Sequence, residues 1–270
     1  VGSEMCIRDS VHVWRKLAAE FKGHNPKCVA FELLNEPHDG TPDATGWNKL
    51  QNEVLTAVRE QDPERIVFVP AMGWQDYNYI KYARVAEEDP NAVVSFHYYL
   101  PMLLSHYKML AWVGYQGAVQ YPGVVIPTQS DADKYPQYAS FHKTTYNADR
   151  IMGEMSNAAS DGRNAGLAVH CGEFGCSKNV AEAMRLAWFT DMVAAMEANN
   201  IPWTLWECLD GGFGFVDMEY GIYRINCPLL KVLTGKELTD AEAKALLQKY
   251  GFKTCLLYTS PSPRDVEESR

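Results

Sequence analysis

Apolar positions along the chain alternate between two rhythms. In VWRKLAAEFKG (13–23), Val13, Leu17 and Phe21 fall four apart, which predicts a helical stripe. CVAFELLNEP (28–37) is instead a short, unbroken apolar run stopped by Pro37, the mark of a buried strand. GWNKLQNEVLTAVREQD (46–62) returns to helical spacing with Trp47, Leu50, Val54 and Val58 on one face. RIVFVPA (65–71) and NAVVSFHYYL (91–100) read as strands. Residues 140–162 are helical, GLAVHCGEFG (166–175) is a strand, 179–200 is the clearest helix, and IPWTLWECL (201–209) is a fifth strand. Helices over 227–235 and 239–251 follow, the last with Asp240 and Glu242 at its positive N-terminal end. Strands that are apolar on both faces and separated by helices predict a parallel sheet of the α/β class. The stretch 100–139, rich in Trp, Tyr and Pro, reads as a long functional loop.

Composition narrows the partners. The 270 residues are 47% apolar and carry a net charge of −9, globular in character and unsuited to a phosphate backbone, so no nucleic-acid partner is expected. No apolar run approaches the ~20 residues of a membrane span. Neither a Gly-x-Gly-x-x-Gly after a strand nor a Gly-x-x-x-x-Gly-Lys loop is present.

The two ends share an unusual relation. A coding sequence for VGSEMCIRDS (1–10) exists whose reverse complement, in another frame, encodes CLLYTSPSP, the residues at 255–263. The pair is compatible with one DNA element in inverted orientation and resembles a transposon-end adapter used to fragment DNA for sequencing. Residues 1–10 and 255–270 are therefore expected to be adapter-derived, with 11–254 a partial catalytic domain. Each end segment carries −1, which leaves −7 on 11–254. Of seven cysteines, Cys28, Cys171, Cys176, Cys208 and Cys227 remain, with no zinc-like spacing.

Polar groups gather where the predicted strands end: Asn35 and Glu36, Trp74, His97 and Tyr99, Glu173, and Trp206 with Glu207. At the mouth of a (β/α) barrel that is where catalytic residues sit. Two carboxyl groups facing each other suit cleavage of a glycosidic bond, one protonating the leaving oxygen and the other attacking the anomeric carbon or activating water. At a separation of about 5–5.5 Å the pair would act with retention. The proton donor needs a raised pKa, which burial and the second carboxylate both favour. Trp74, Trp112, Trp206, Tyr99 and Tyr115 offer flat faces for sugar rings. Glu32 is expected to face the barrel wall or a helix. His170 should point to the face opposite Glu173 by strand alternation. His106 is expected to be structural, and Asp210 to satisfy its loop.

With these residues in place the chain resembles glycoside hydrolase family 5, the cellulase family. FELLNEP is similar to that family's fourth-strand motif, FHYY to the sixth, CGEFG to the seventh and WTLWE to the eighth. The resemblance implies Glu36 as acid/base, Glu173 as nucleophile, Asn35 on the sugar 2-hydroxyl, His97 lining the site, Tyr99 orienting the nucleophile and Trp206 under the sugar. LSHYKMLAW (104–112) resembles a stretch of endoglucanase-like members, which points to a β-1,4-glucan and implicates Trp112. The implied fold is a partial TIM (β/α)8 barrel, strands 4–8 with their helices and strands 1–3 missing. A chain so truncated would be inactive although its parent is a retaining endo-β-glycanase. A β-mannanase and a non-catalytic carbohydrate-binding barrel are the alternatives. The mechanism requires no cofactor and no metal. A polymeric substrate implies a secreted or periplasmic parent protein.

Overall fold

The computed structural model describes residues 2–38, 44–86, 88–109, 113–209, 211–219 and 221–254. They form two compact units, Val1–Trp206 and Glu207–Arg270. In chain order the first unit carries α1 (Gly2–Phe21), β1 (Phe31–Glu32), α2 (Thr45–Arg59), β2 (Val67–Pro70) and the short α3 (Met72–Gln75). It continues with β3 (Ala92–Tyr98), α4 (Met102–Ser105), β4 (Gly123–Val124), α5 (Gln129–Lys134), β5 (Thr145–Tyr146), α6 (Ala148–Ala165), β6 (Ala168–Phe174) and α7 (Glu182–Ala198). The second unit carries β7 (Val216–Glu219), β8 (Ile222–Ile225), α8 (Cys227–Thr234) and α9 (Asp240–Lys249).

The expected partial barrel, five parallel strands numbered 4–8 with three missing, is overturned. The described residues carry eight strands with interspersed helices. Four are parallel in the order β1-β2-β3-β6, and the others form the antiparallel pairs β4-β5 and β7-β8. The expected strand over 201–209 makes only two isolated bridges, Trp203 to Cys171 and Leu209 to Val216. Pro202, which has no N–H to give, accepts from the Cys171 amide at 2.9 Å, and Thr204 donates back to Cys171 at 2.9 Å. The alternation Val216-Asp217-Met218-Glu219 and Ile222-Tyr223-Arg224-Ile225 pairs as a hairpin, with Gly221 at φ +77° beside its turn.

Helix α1 turns a different face inward from the one its spacing predicts. Val13 and Leu17 are exposed, while Ala18 is fully buried. The inward row is Trp14, Ala18 and Phe21, with the Trp14 and Phe21 rings 5.4 and 6.0 Å from Phe31. Helix α6 starts at an Asn147 cap that accepts from the Arg150 amide and ends on left-handed Gly166. Within it Gly162 permits close contact with the sheet, since a Cβ there would lie 2.1 Å from Val169. Trp188 and Phe189 of α7 cover Phe174 at the end of β6. The stretch 100–139 is pinned by tyrosine hydroxyls: Tyr107 to the Gly117 carbonyl at 2.9 Å, Tyr138 to that of Val113 at 2.6 Å, and Tyr121 to Asp191 at 2.5 Å. All five cysteines between 11 and 254 are free.

A buried cation locks this unit. Arg65 is wholly buried and pairs with Asp62 at 2.7 Å. It also donates to the carbonyls of Phe21, His24 and Val29 at 2.7, 2.9 and 2.5 Å. A positive charge thus ties the C-terminal end of α1, and the segment that follows it, to the start of β2. Removing its counter-ion strands a buried charge. Asp62→Ala is expected to lower unfolding stability by about 3–5 kcal/mol, read from urea denaturation; an unchanged midpoint would contradict this role.

Candidate active site

Strand alternation sorts the residues of β3. Tyr98 points back toward α6, where its hydroxyl donates to Glu154 at 2.5 Å. Its neighbours His97 and Tyr99 belong to the opposite face. There His97 Nδ1 lies 2.9 Å from Glu36 Oε1 and 3.5 Å from Glu173 Oε2. The Tyr99 hydroxyl donates to Glu173 Oε2 at 2.8 Å. Ligand atoms of Glu36, His97 and Glu173 all lie within 4.8 Å of one another. His97 is almost wholly enclosed, whereas the Glu36 and Glu173 side chains keep 31% and 17% of their exposure, open enough to meet a ligand.

Two backbone irregularities aim the carboxylates. In the β3–β6 ladder Phe96 pairs with Cys171 but His97 pairs with Glu173, so Gly172 is an extra residue, a bulge. A Cβ on Gly172 would come within 2.6 Å of Ser95 Oγ, which explains the glycine. The bulge corrects the expected facing of His170. With one residue inserted, Cys171 and Phe174 stay buried on the helix side, and His170 and Glu173 share the other face. His170 there lies against Phe68, ring centroids 4.6 Å apart, rather than on a helix. The second irregularity is Glu36 itself, in the left-handed region at φ +49°, its amide donating to Gln75 Oε1 at 2.7 Å.

Of the other expected residues, Asn35 is exposed beside Glu36. Trp206 is 45% exposed and its amide donates to the Phe174 carbonyl at 3.0 Å, which brings it to the end of β6. Trp74 is 59% exposed and stacks on His38 at 4.9 Å. Tyr115 is buried, its hydroxyl turned to the Ala118 carbonyl at 2.6 Å, so it presents no face to a ligand. Trp112 and Asp210 lie outside the described residues. In the second unit Glu207 folds onto Gly211 of its own loop. Glu32 meets the short helix α3, its Oε1 accepting from Gln75 at 3.0 Å. His106 packs on Tyr99 at 4.9 Å and bonds Ser105, which in turn donates to the Tyr99 carbonyl. Gln75 and His38 carry no sequence signal that marks them as part of a site; Gly73, two residues before Gln75, hints at an unusual turn.

Burial pushes the Glu173 carboxyl up. The charge of His97 and the Tyr99 hydrogen bond oppose that push, and Glu36 adds to it. Tyr99 is raised well beyond its ordinary value by burial and by Glu173, so it stays a proton donor. His106 is lowered by burial. His170 falls from 6.5 to about 4 through burial and the nearby His97 charge. The expected cause of a raised carboxyl is present, but it acts on Glu173. Chemically, two carboxylates around one imidazole can exchange a proton with a bound molecule and attack it. Glu36, His97 and Glu173 are also the one group among the described residues able to offer three ligand atoms to a cation.

The chain matches the family described as Cellulase (glycosyl hydrolase family 5) over residues 7–212. Endoglucanase C of Acetivibrio thermocellus is 27% identical over 221 residues, 79% of this chain and 61% of that protein. The chain thus spans about three fifths of that relative's length. A hyperthermophilic endo-β-1,4-glucanase solved with substrate has a TM-score of 0.69 at 23% identity, covering 86% of this chain and 67% of its own. Cel5A of Thermotoga maritima in complex with cellobiose has a TM-score of 0.64 at 21% identity, covering 84% of this chain and 66% of its own. These last two are likenesses of fold. Among the described residues no helix is long and apolar enough to cross a membrane.

Two of the shifted groups, Glu173 and His170, make stability depend on pH in opposite senses. Glu173 binds its proton more tightly when folded, so its contribution is present at low pH and lost as pH rises through the raised value. His170 binds its proton less tightly, so its contribution is present above 6.5 and lost as pH falls toward about 4. In chemical denaturation across pH, Glu173→Gln should gain on wild type as pH rises and His170→Asn should gain as it falls below 6.5. Parallel profiles for all three proteins would contradict both shifts.

Proposed function

The chain belongs to glycosyl hydrolase family 5, and on that premise we propose that the natural protein is a retaining endo-β-1,4-glucanase acting on cellulose or a related β-glucan. The observation that carries the reading is the carboxyl pair: oxygens of Glu36 and Glu173 within 4.8 Å, with His97 between them. That separation suits double displacement, because an inverting enzyme leaves room for a water and sets its carboxyls roughly 6.5–9.5 Å apart.

In this reading Glu36 gives its proton to the glycosidic oxygen as Glu173 attacks the anomeric carbon. The carbon–oxygen bond to the leaving sugar breaks and a glycosyl ester to Glu173 forms. Water then attacks the same carbon, Glu36 takes the water's proton, and Glu173 leaves as carboxylate. Esterification removes the negative charge of Glu173 between the two steps, as Glu36 changes from acid to base. Tyr99 holds Glu173 Oε2 for in-line attack. The exposed faces of Trp206 and Trp74 suit sugar rings, and Asn35 is poised for the 2-hydroxyl. The steps need no metal.

Two further readings accompany this one. Residues 1–10 and 255–270 are proposed to be adapter-encoded, on the coding relation between them; sequencing the locus from unfragmented DNA tests it. A polymeric glucan as substrate supports a secreted or periplasmic setting, which fractionation of the source cells would check.

Role exchange is the direct test on the natural gene product. Glu36→Ala should lose about 10²–10⁴-fold in turnover of cello-oligosaccharides. Added azide should restore cleavage of an aryl cellobioside and yield the β-azide. Glu173→Gln should abolish turnover and keep cellohexaose binding. The α-azide from Glu36→Ala would reverse the roles. Preference for mannohexaose would make the protein a mannanase, loss of activity with a chelator would favour metal-dependent hydrolysis, and binding without turnover in wild type would leave only a carbohydrate-binding fold.

A further inference from the structure

We propose that Gln75 is a positioning residue for the acid/base carboxylate, holding Glu36 against His97 from the loop that follows β2; the proposal rests on the glycosidase reading above. Gln75 is fully buried. Its carbonyl oxygen accepts the Glu36 amide at 2.7 Å, and its amide nitrogen donates to Glu32 at 3.0 Å and Ser95 Oγ at 3.2 Å. The orientation of the carboxamide is chemically forced, because a main-chain N–H can only donate and an ionised carboxylate can only accept. One side chain therefore ties the turn after β2 to the end of β1 and to the middle of β3.

The loops it joins are both strained. Glu36 lies at φ +49°, and Gly73, Trp74 and Gln75 form a left-handed run at φ +69°, +66° and +54°. Such conformations persist only where their surroundings hold them in place. Two bonds bracket Glu36: its own amide to Gln75, and the Trp74 amide to the Pro37 carbonyl at 3.1 Å. Gly73 is required in this turn, since a Cβ would sit 2.6 Å from the Tyr79 ring. Without the Gln75 carboxamide the Glu36 amide loses the partner that holds its left-handed twist, and the carboxylate is free to leave His97. Glu173, on β6, is held instead by Tyr99 and His97.

This asymmetry makes a selective prediction. Gln75→Met fills the same buried space without the hydrogen bonds. A leaving group that needs no proton, 2,4-dinitrophenolate, bypasses Glu36 in the first step, whereas a sugar alcohol does not. In the natural gene product the variant should lose about 10²-fold in kcat/KM on cellohexaose, the scale of a catalytic group misplaced by an ångström. On 2,4-dinitrophenyl β-cellobioside it should lose less than about 5-fold. Equal losses on both substrates, or none on cellohexaose, would overturn the proposal. If wild type cleaves neither substrate, the glycosidase reading fails first and takes this proposal with it. Should Gln75→Met not fold by circular dichroism, Ser95→Ala, which removes only one anchor of the carboxamide, decides the matter by the same ratio: a larger loss on cellohexaose supports the proposal, and equal losses reject it.

Discussion

One imidazole stands between two carboxylates, and the first unit of this molecule is arranged around that fact. Glu36 and Glu173 approach each other to within 4.8 Å. Two ionised carboxylates so close repel each other, and in partial burial little water is left to screen them. His97, almost wholly enclosed, meets both, and Tyr99 adds a hydroxyl to the more buried partner. Each carboxylate is thereby held where its own chemistry would push it away.

The scaffold meets this demand with departures from regular structure. The parallel order β1-β2-β3-β6 brings the ends of neighbouring strands to one edge, but period-two alternation alone cannot turn the required side chains to the same side. The bulge at Gly172 re-aims Glu173. The left-handed backbone at Glu36, with a matching left-handed run at 73–75, brings the other carboxylate round. Behind them the sheet is conventional and firmly packed: Phe174 against Trp188 and Phe189, Tyr98 against Glu154, and Arg65 binding the end of α1 to β2.

Legibility in the sequence followed the same division. Glu36, His97, Tyr99 and Glu173 stand at the ends of apolar runs punctuated by Pro37 or by period two, and the structure brings these four together. The face of α1 was misread because Val13 and Leu17 share the four-residue spacing of the true inward pair Trp14 and Ala18; only the neighbouring Phe31 distinguishes them. The fold expectation failed on strand count. Short antiparallel pairs such as β4-β5 carry two residues each, too few for periodicity to register, and β7 and β8 carry only four each. An apolar run over 201–209 looked like a full strand, yet it reaches β6 through a single bridge. The bulge had one signal, a glycine inside a strand. Gln75 had none, because its role depends on a backbone conformation that its own residue type does not announce.

Covalent trapping tests the central claim most directly. Incubation of the natural gene product with 2,4-dinitrophenyl 2-deoxy-2-fluoro-β-cellobioside, followed by proteolysis and mass spectrometry, should give one glycosylated peptide with the sugar on Glu173. Label on Glu36, on another residue or on none would contradict the assignment of the two carboxylates on which the account is built.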